Sequence, residues 1–115
     1  MLLGREEVNP DRPDIFSQTP LWFAAKRGYE GVVEILLGRA EANPDRPDRK
    51  GRTPLSFAAE YGRERVVKIL LEREEVNPER PDNDSKTPLW YAARNRRKTV
   101  VSLLQSRKVA TPNTI

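Results

Sequence analysis

Neither cysteine nor histidine occurs anywhere in this chain of 115 residues. The first absence removes disulfide frameworks, thiolate metal sites and thiol nucleophiles. The second removes the commonest general base. No apolar run reaches the length of a membrane span, and no basic, apolar, small-residue leader opens the chain. The expected setting is therefore the cytoplasm, without a membrane partner. A phosphate-cradling loop is missing as well: Lys50-Gly51-Arg52-Thr53 lacks the upstream glycine and the Gly-Lys-Ser/Thr order. Carboxylates are plentiful. However, Glu6-Glu7 and Glu74-Glu75, or Asp45 with Asp48, come back at a fixed interval and read as solvated charges rather than an acid/base pair. No enzymatic activity, cofactor or metal is expected.

What the chain does have is one phrase written three times, 34 residues apart. Thr19-Pro20-Leu21, Thr53-Pro54-Leu55 and Thr87-Pro88-Leu89 lead into Ala24-Ala25, Ala58-Ala59 and Ala92-Ala93, and then into Val32-Val33, Val66-Val67 and Val100-Val101. Prolines recur with the same strictness, at 10, 13 and 20, at 44, 47 and 54, and at 78, 81 and 88. Residues 2–35 and 36–69 agree at 22 of 34 positions, far beyond what shared helical composition gives. A period of this size marks stacked repeats, in which each unit buries its apolar face only against its neighbours.

Within a unit the local chemistry is explicit. Thr53 suits a helix N-cap and Pro54 the first helical position. Leu55, Ala58 and Ala59 follow at helical spacing, and Gly62 is free to take the positive φ that ends a short helix. Val66, Val67, Ile69, Leu70 and Leu71 form the apolar stripe of a second helix. The stretch 43–51, with two prolines and a turn glycine, reads as an extended finger or hairpin. Helices are predicted over 20–27, 30–39, 54–61, 64–73, 88–95 and 98–106. The chain divides into 1–14, the tail of a preceding partial repeat, then repeats at 15–48, 49–82 and 83–115. Leu2-Leu3-Gly4-Arg5 matches Leu36-Leu37-Gly38-Arg39, so a longer array is expected. At the far end Gln105 and Arg96 replace the leucine of 71 and the glycine of 62, as a polar C-terminal cap requires.

Gly51-Arg52-Thr53-Pro54-Leu55-x-x-Ala58-Ala59-x-x-Gly62, followed by a Val-Val-x-Ile-Leu-Leu helix, resembles the ankyrin repeat. The resemblance implies an all-α solenoid of three helix-turn-helix units with long finger loops, working as a non-catalytic protein-binding module. The sequence departs from the family pattern in its longer finger, and in Trp22, Ser56 and Trp90 where the family has histidine. Fingers of the Asn-Pro-Asp type resemble the fungal style of ankyrin repeat found on NACHT-type nucleotide-binding, immune-like receptors. That implies the ligand-recognition part of a larger signalling protein.

The resemblance also implies that finger tips and first helices line a concave face. The positions concerned are Ile15, Phe16, Gln18, Lys26, Arg27 and Tyr29; Arg49, Lys50, Arg52, Glu60, Tyr61 and Arg63; and Asn83, Asp84, Lys86, Arg94, Asn95 and Arg97. Nine are basic and two acidic, a surplus of seven, whereas the whole chain carries +4. Positive charge is thus concentrated on one face, which fits an acidic protein partner. The same charge also fits a merely solvated surface. Nucleic acid is the weaker partner, since no nucleic-acid motif accompanies the charge. Arg49, Lys50 and Arg52 are expected to tolerate charge reversal without loss of fold. Phe23, Phe57 and Tyr91 share one repeated position and are expected in the core. Trp22 and Trp90 are left between an exposed ridge and packing beneath the fingers. Arg12, Arg46 and Arg80 beside Asp11, Asp45 and Glu79 suggest a ladder of ion pairs between fingers. Two further readings stand beside recognition: self-association through an uncapped N-terminal repeat face, and a designed or reconstructed array, against which scattered differences such as Ser56 and Asn95 speak.

Overall fold

The computed structural model describes residues 18–39 and 42–110, without the side chains of 108–110. Ile15, Phe16, Asp11, Arg12 and the tail over 1–14 lie outside the described residues. Among the described residues six helices form three pairs: α1 (Pro20–Arg27) with α2 (Glu30–Leu37), α3 (Pro54–Glu60) with α4 (Glu64–Leu71), and α5 (Pro88–Arg94) with α6 (Lys98–Ala110). No strand occurs among the described residues. First helices stack on first helices, α1 on α3 on α5, and second helices on second helices.

Each first helix starts where the sequence says it should. The hydroxyls of Thr19, Thr53 and Thr87 accept from the amides of Trp22, Ser56 and Trp90 at 3.1, 3.2 and 3.2 Å. This satisfies a donor that has no intrahelical partner. The second helices α2 and α4 stop at residues 37 and 71, two residues short of expectation. The chain instead makes a tight turn, with the amides of Arg39 and Arg73 donating to Leu36 and Leu70 carbonyls at 3.1 Å. The freed carbonyls of Leu37 and Leu71 are taken by guanidinium groups one repeat later, Arg73 at 2.9 Å and Arg107 at 2.7 Å. A cation at a helix C-terminus also opposes the helix dipole favourably. The helix α6 overruns its predicted end at 106 because no Asn-Pro-Asp-Arg-Pro stretch stops it.

The fingers are hairpin turns. The Asp48 amide donates to the Arg52 carbonyl at 2.9 Å, and Asp48 Oδ1 accepts from the amides of Lys50 and Arg52, both at 2.9 Å. Asp82 does the same with Lys86 and Asp84 in the next repeat. The Asn83 amide donates to the Lys50 carbonyl at 2.9 Å and its side chain to the Arg49 carbonyl at 3.0 Å, stitching finger to finger.

One contiguous apolar core runs along the stack. Ala25, Ala58, Ala59, Ala92, Val33, Val67, Leu70 and Val100 are fully buried. The alanines let neighbouring first helices approach closely, and burying each leucine stabilises by about 1.5–3 kcal/mol. The shared aromatic position divides, contrary to expectation. Phe57 is buried, Tyr91 is half-buried and Phe23 is exposed. Phe57 is covered edge-on by Trp22 of the preceding repeat at 4.6 Å, whereas among the described residues the ring that Phe23 meets is Trp22 of its own repeat, at 4.8 Å.

Candidate functional site: the concave face

Arg63 and Arg97, which the resemblance assigns to the concave face, serve the stack. Arg63 Nε donates to the Lys26 carbonyl and Arg97 Nε to the Glu60 carbonyl, both at 3.0 Å. Each arginine lies across the glycine that ends the preceding first helix. A Cβ on Gly28 would meet Arg63 Cδ at 2.8 Å, and one on Gly62 would meet Arg97 Cδ at 2.9 Å. Glycine is therefore required twice, for its φ of 78° or 70° and for this close approach. Tyr29 holds the equivalent place in repeat 1 and is exposed.

Arg52 departs most from expectation. Its guanidinium lies between two rings, 3.7 Å from the Phe57 centroid and 3.8 Å from that of Tyr91. It pairs with Glu60 at 2.8 Å and donates to the Ser56 hydroxyl at 3.0 Å. Only 12% of its side chain is exposed. The expectation that Arg52 carries low packing demand is corrected: it is a plug between repeats 2 and 3. Ser56 leaves the room that the plug occupies. The opposite charges of Arg52 and Glu60, found at these two positions only in the middle repeat, were the signal available in the sequence.

Repeat 1 fills the same space differently. Trp22 is buried beneath the next finger, and its Nε1–H donates to Asp48 Oδ2 at 3.0 Å. This supplies a side-chain hydrogen bond from the position where the family has histidine. Lys26 stands where Glu60 stands one repeat later. Its Nζ lies 5.1, 5.5 and 5.9 Å from the Trp22, Phe57 and Tyr61 ring centroids, inside cation–π range. A cleft of about 340 Å³ opens here, lined by Trp22, Lys26, Asp48, Lys50, Arg52 and Phe57 among others. In repeat 3, Trp90 is exposed, with Lys86 Nζ 4.8 Å and the Arg94 guanidinium carbon 5.4 Å from its ring centroid. Trp22 thus packs beneath a finger and Trp90 forms part of the surface. Arg27 and Arg49 are exposed, as is Tyr61, which stacks on Phe57.

Two carboxylates shape the finger bases. Burial pushes Asp45 up from the usual aspartate value, against the Asn77 amide and Arg80. Arg80 reaches Asp45 at 3.6 Å from one repeat later, a rung of the finger ladder. Burial also works to raise Asp82, but hydrogen bonds from the Tyr91 hydroxyl and the amides of Lys86 and Asp84 outweigh it and hold the group low. Burial and that same carboxylate push the Tyr91 phenol up to about 12.

Stacked helix pairs and stitched fingers define a repeat scaffold. A family model described as ankyrin repeats (three copies) matches residues 1–82 and 21–114, and the chain belongs to that family. Ankyrin repeats are non-catalytic protein–protein interaction modules. No curated protein sequence matches the chain. No helix among the described residues is long and apolar enough to cross a membrane.

Proposed function

We propose that this chain is a recognition module that binds an acidic protein surface on its concave face, as the cytoplasmic ligand-sensing part of a larger signalling protein. The signalling context rests on the resemblance to fungal-style fingers. The observation that carries the acidic partner is the state of the cations. Lys26, Lys50, Lys86 and Arg94 line the face, and none is ion-paired with another described residue. Unpaired charge on an exposed rim acts mainly on association rate and is screened by salt.

The test is binding of fluorescent polyglutamate by anisotropy. Reversing Lys26 and Lys86 to glutamate should abolish binding, while reversing Lys68 and Lys98 on the second helices should not. Affinity should fall steeply between about 0.05 and 0.5 M salt. Equal loss from both pairs, or salt-independent binding, would sink the reading. A second reading, end-to-end self-association, is favoured by Val32 and Ile35 on α2, which are 45% and 69% exposed. Sedimentation of wild type and Ile35→Glu decides it: a dimer that the substitution dissolves supports self-association.

A further inference from the structure

The basic face is not one field. We infer that it presents two cationic tryptophan stations separated by a charge-compensated position, the Arg52–Glu60 pair, fitting an extended acidic peptide segment whose two anionic clusters stand about six residues apart. This rests on the acidic-partner reading and gives it a geometry.

Three aligned positions of the repeat carry the argument. In repeat 1 they hold Gln18, Trp22 and Lys26; in repeat 2, Arg52, Ser56 and Glu60; in repeat 3, Lys86, Trp90 and Arg94. The outer repeats each place a cation against a tryptophan ring, Lys26 at 5.1 Å from Trp22 and Lys86 at 4.8 Å from Trp90. The middle repeat neutralises itself through the 2.8 Å pair of Arg52 with Glu60, and the guanidinium fills the slot between Phe57 and Tyr91. The finger tips repeat the contrast. Lys50 stands over the first station's cleft, but the equivalent residue on the next finger is Asp84. An anionic group arriving at the middle therefore meets Glu60 and Asp84; at one end it meets Lys26 and Lys50 in a cleft whose carboxylate, Asp48, is held by the buried Trp22 indole, and at the other Lys86 and Arg94 beside the exposed Trp90 ring.

The spacing follows from the stack. First helices pack side by side from α1 to α3 to α5. Packed helices lie 8–10 Å apart, so stations two repeats apart are separated by about 20 Å. An extended chain rises about 3.3 Å per residue and spans that in about six residues. Joining two weak contacts on one segment makes the second intramolecular, so a matched spacing gains affinity that no single cluster provides.

The chain has only two tryptophans, one per station, so their two indole N–H signals in an NMR titration report each station separately. The probes are synthetic peptides with two Glu-Glu clusters joined by no spacer, by about four neutral residues, which sets the cluster centres about six residues apart, or by about ten, and a peptide with one cluster, all in about 20 mM salt. The matched peptide should shift both indole signals along one curve, at least about tenfold tighter than the single cluster. Lys26→Gln or Arg94→Gln should each remove that gain, and Arg94, being exposed, keeps the test independent of folding. If every two-cluster peptide binds alike, the two-station geometry fails while the acidic-partner reading survives. If no acidic peptide moves either signal, both fail together.

Discussion

Replacing Gly62 with alanine isolates why the first helices end in glycine. Gly62 has φ of 70°, and an L-residue in that region costs about 1–2 kcal/mol. The added Cβ would also lie 2.9 Å from Arg97 Cδ, so the arginine must move off the Glu60 carbonyl that it holds at 3.0 Å. A hydrogen bond from a charged donor contributes about 1.5–3 kcal/mol, taken at its lower end because Arg97 is only part-buried. Gly62→Ala should then cost about 2–4 kcal/mol in a urea melt. In an Arg97→Ala background the contact is already gone, and the same substitution should cost only the backbone share, about 1–2 kcal/mol. Arg96 takes φ of 59° at the equivalent place in repeat 3. Arg96→Gly should stabilise by about 0.5–1 kcal/mol. Equal costs for Gly62→Ala in both backgrounds would refute the close-approach argument and leave only φ.

Leu70→Ala should destabilise the array by about 2–5 kcal/mol and Leu104→Ala by less, because repeat 2 contributes to two interfaces and repeat 3 to one; equal losses in denaturant melts would contradict a linear stack. Arg52→Glu should cost about 2 kcal/mol or more by leaving Glu60 unpaired beside a like charge, whereas Lys50→Glu on the exposed finger tip should stay within about 0.5 kcal/mol; matching thermal shifts would deny the plug. For Tyr91, a phenol raised from 10.0 to about 12 means that the folded chain holds the proton more tightly than the unfolded chain. Its stabilisation is present below pH 10 and lost as pH climbs toward about 12. Asp82, held low, gives the opposite limb, present above about pH 3.8 and lost as pH falls below it. Tyr91→Phe should flatten the alkaline limb of a melting-temperature profile, and an unchanged limb would put the proton elsewhere.

The sequence by itself determined the repeat, the six helices and their caps, because these depend on neighbours within one unit. Threonine, proline and glycine impose their φ and hydrogen-bond preferences locally, and the 34-residue period repeats them. It also determined that positive charge gathers at finger tips and first helices. Which of those charges are free was decided only by tertiary structure. Arg63, Arg73, Arg97 and Arg107 reach back one repeat to cap carbonyls, a partnership between residues 36 or 37 positions apart that no local pattern announces. The stack likewise set the fates of equivalent aromatics. Phe57 is buried because Trp22 lies beside it, and Trp22 because the next finger brings Asp48 to its indole nitrogen. Trp90 has the same local sequence around it, Thr-Pro-Leu before and an aromatic residue and two alanines after, yet it is exposed. Burial and charge pairing in a repeat stack belong to the interface between units, so identical phrases acquire different roles from what packs against them.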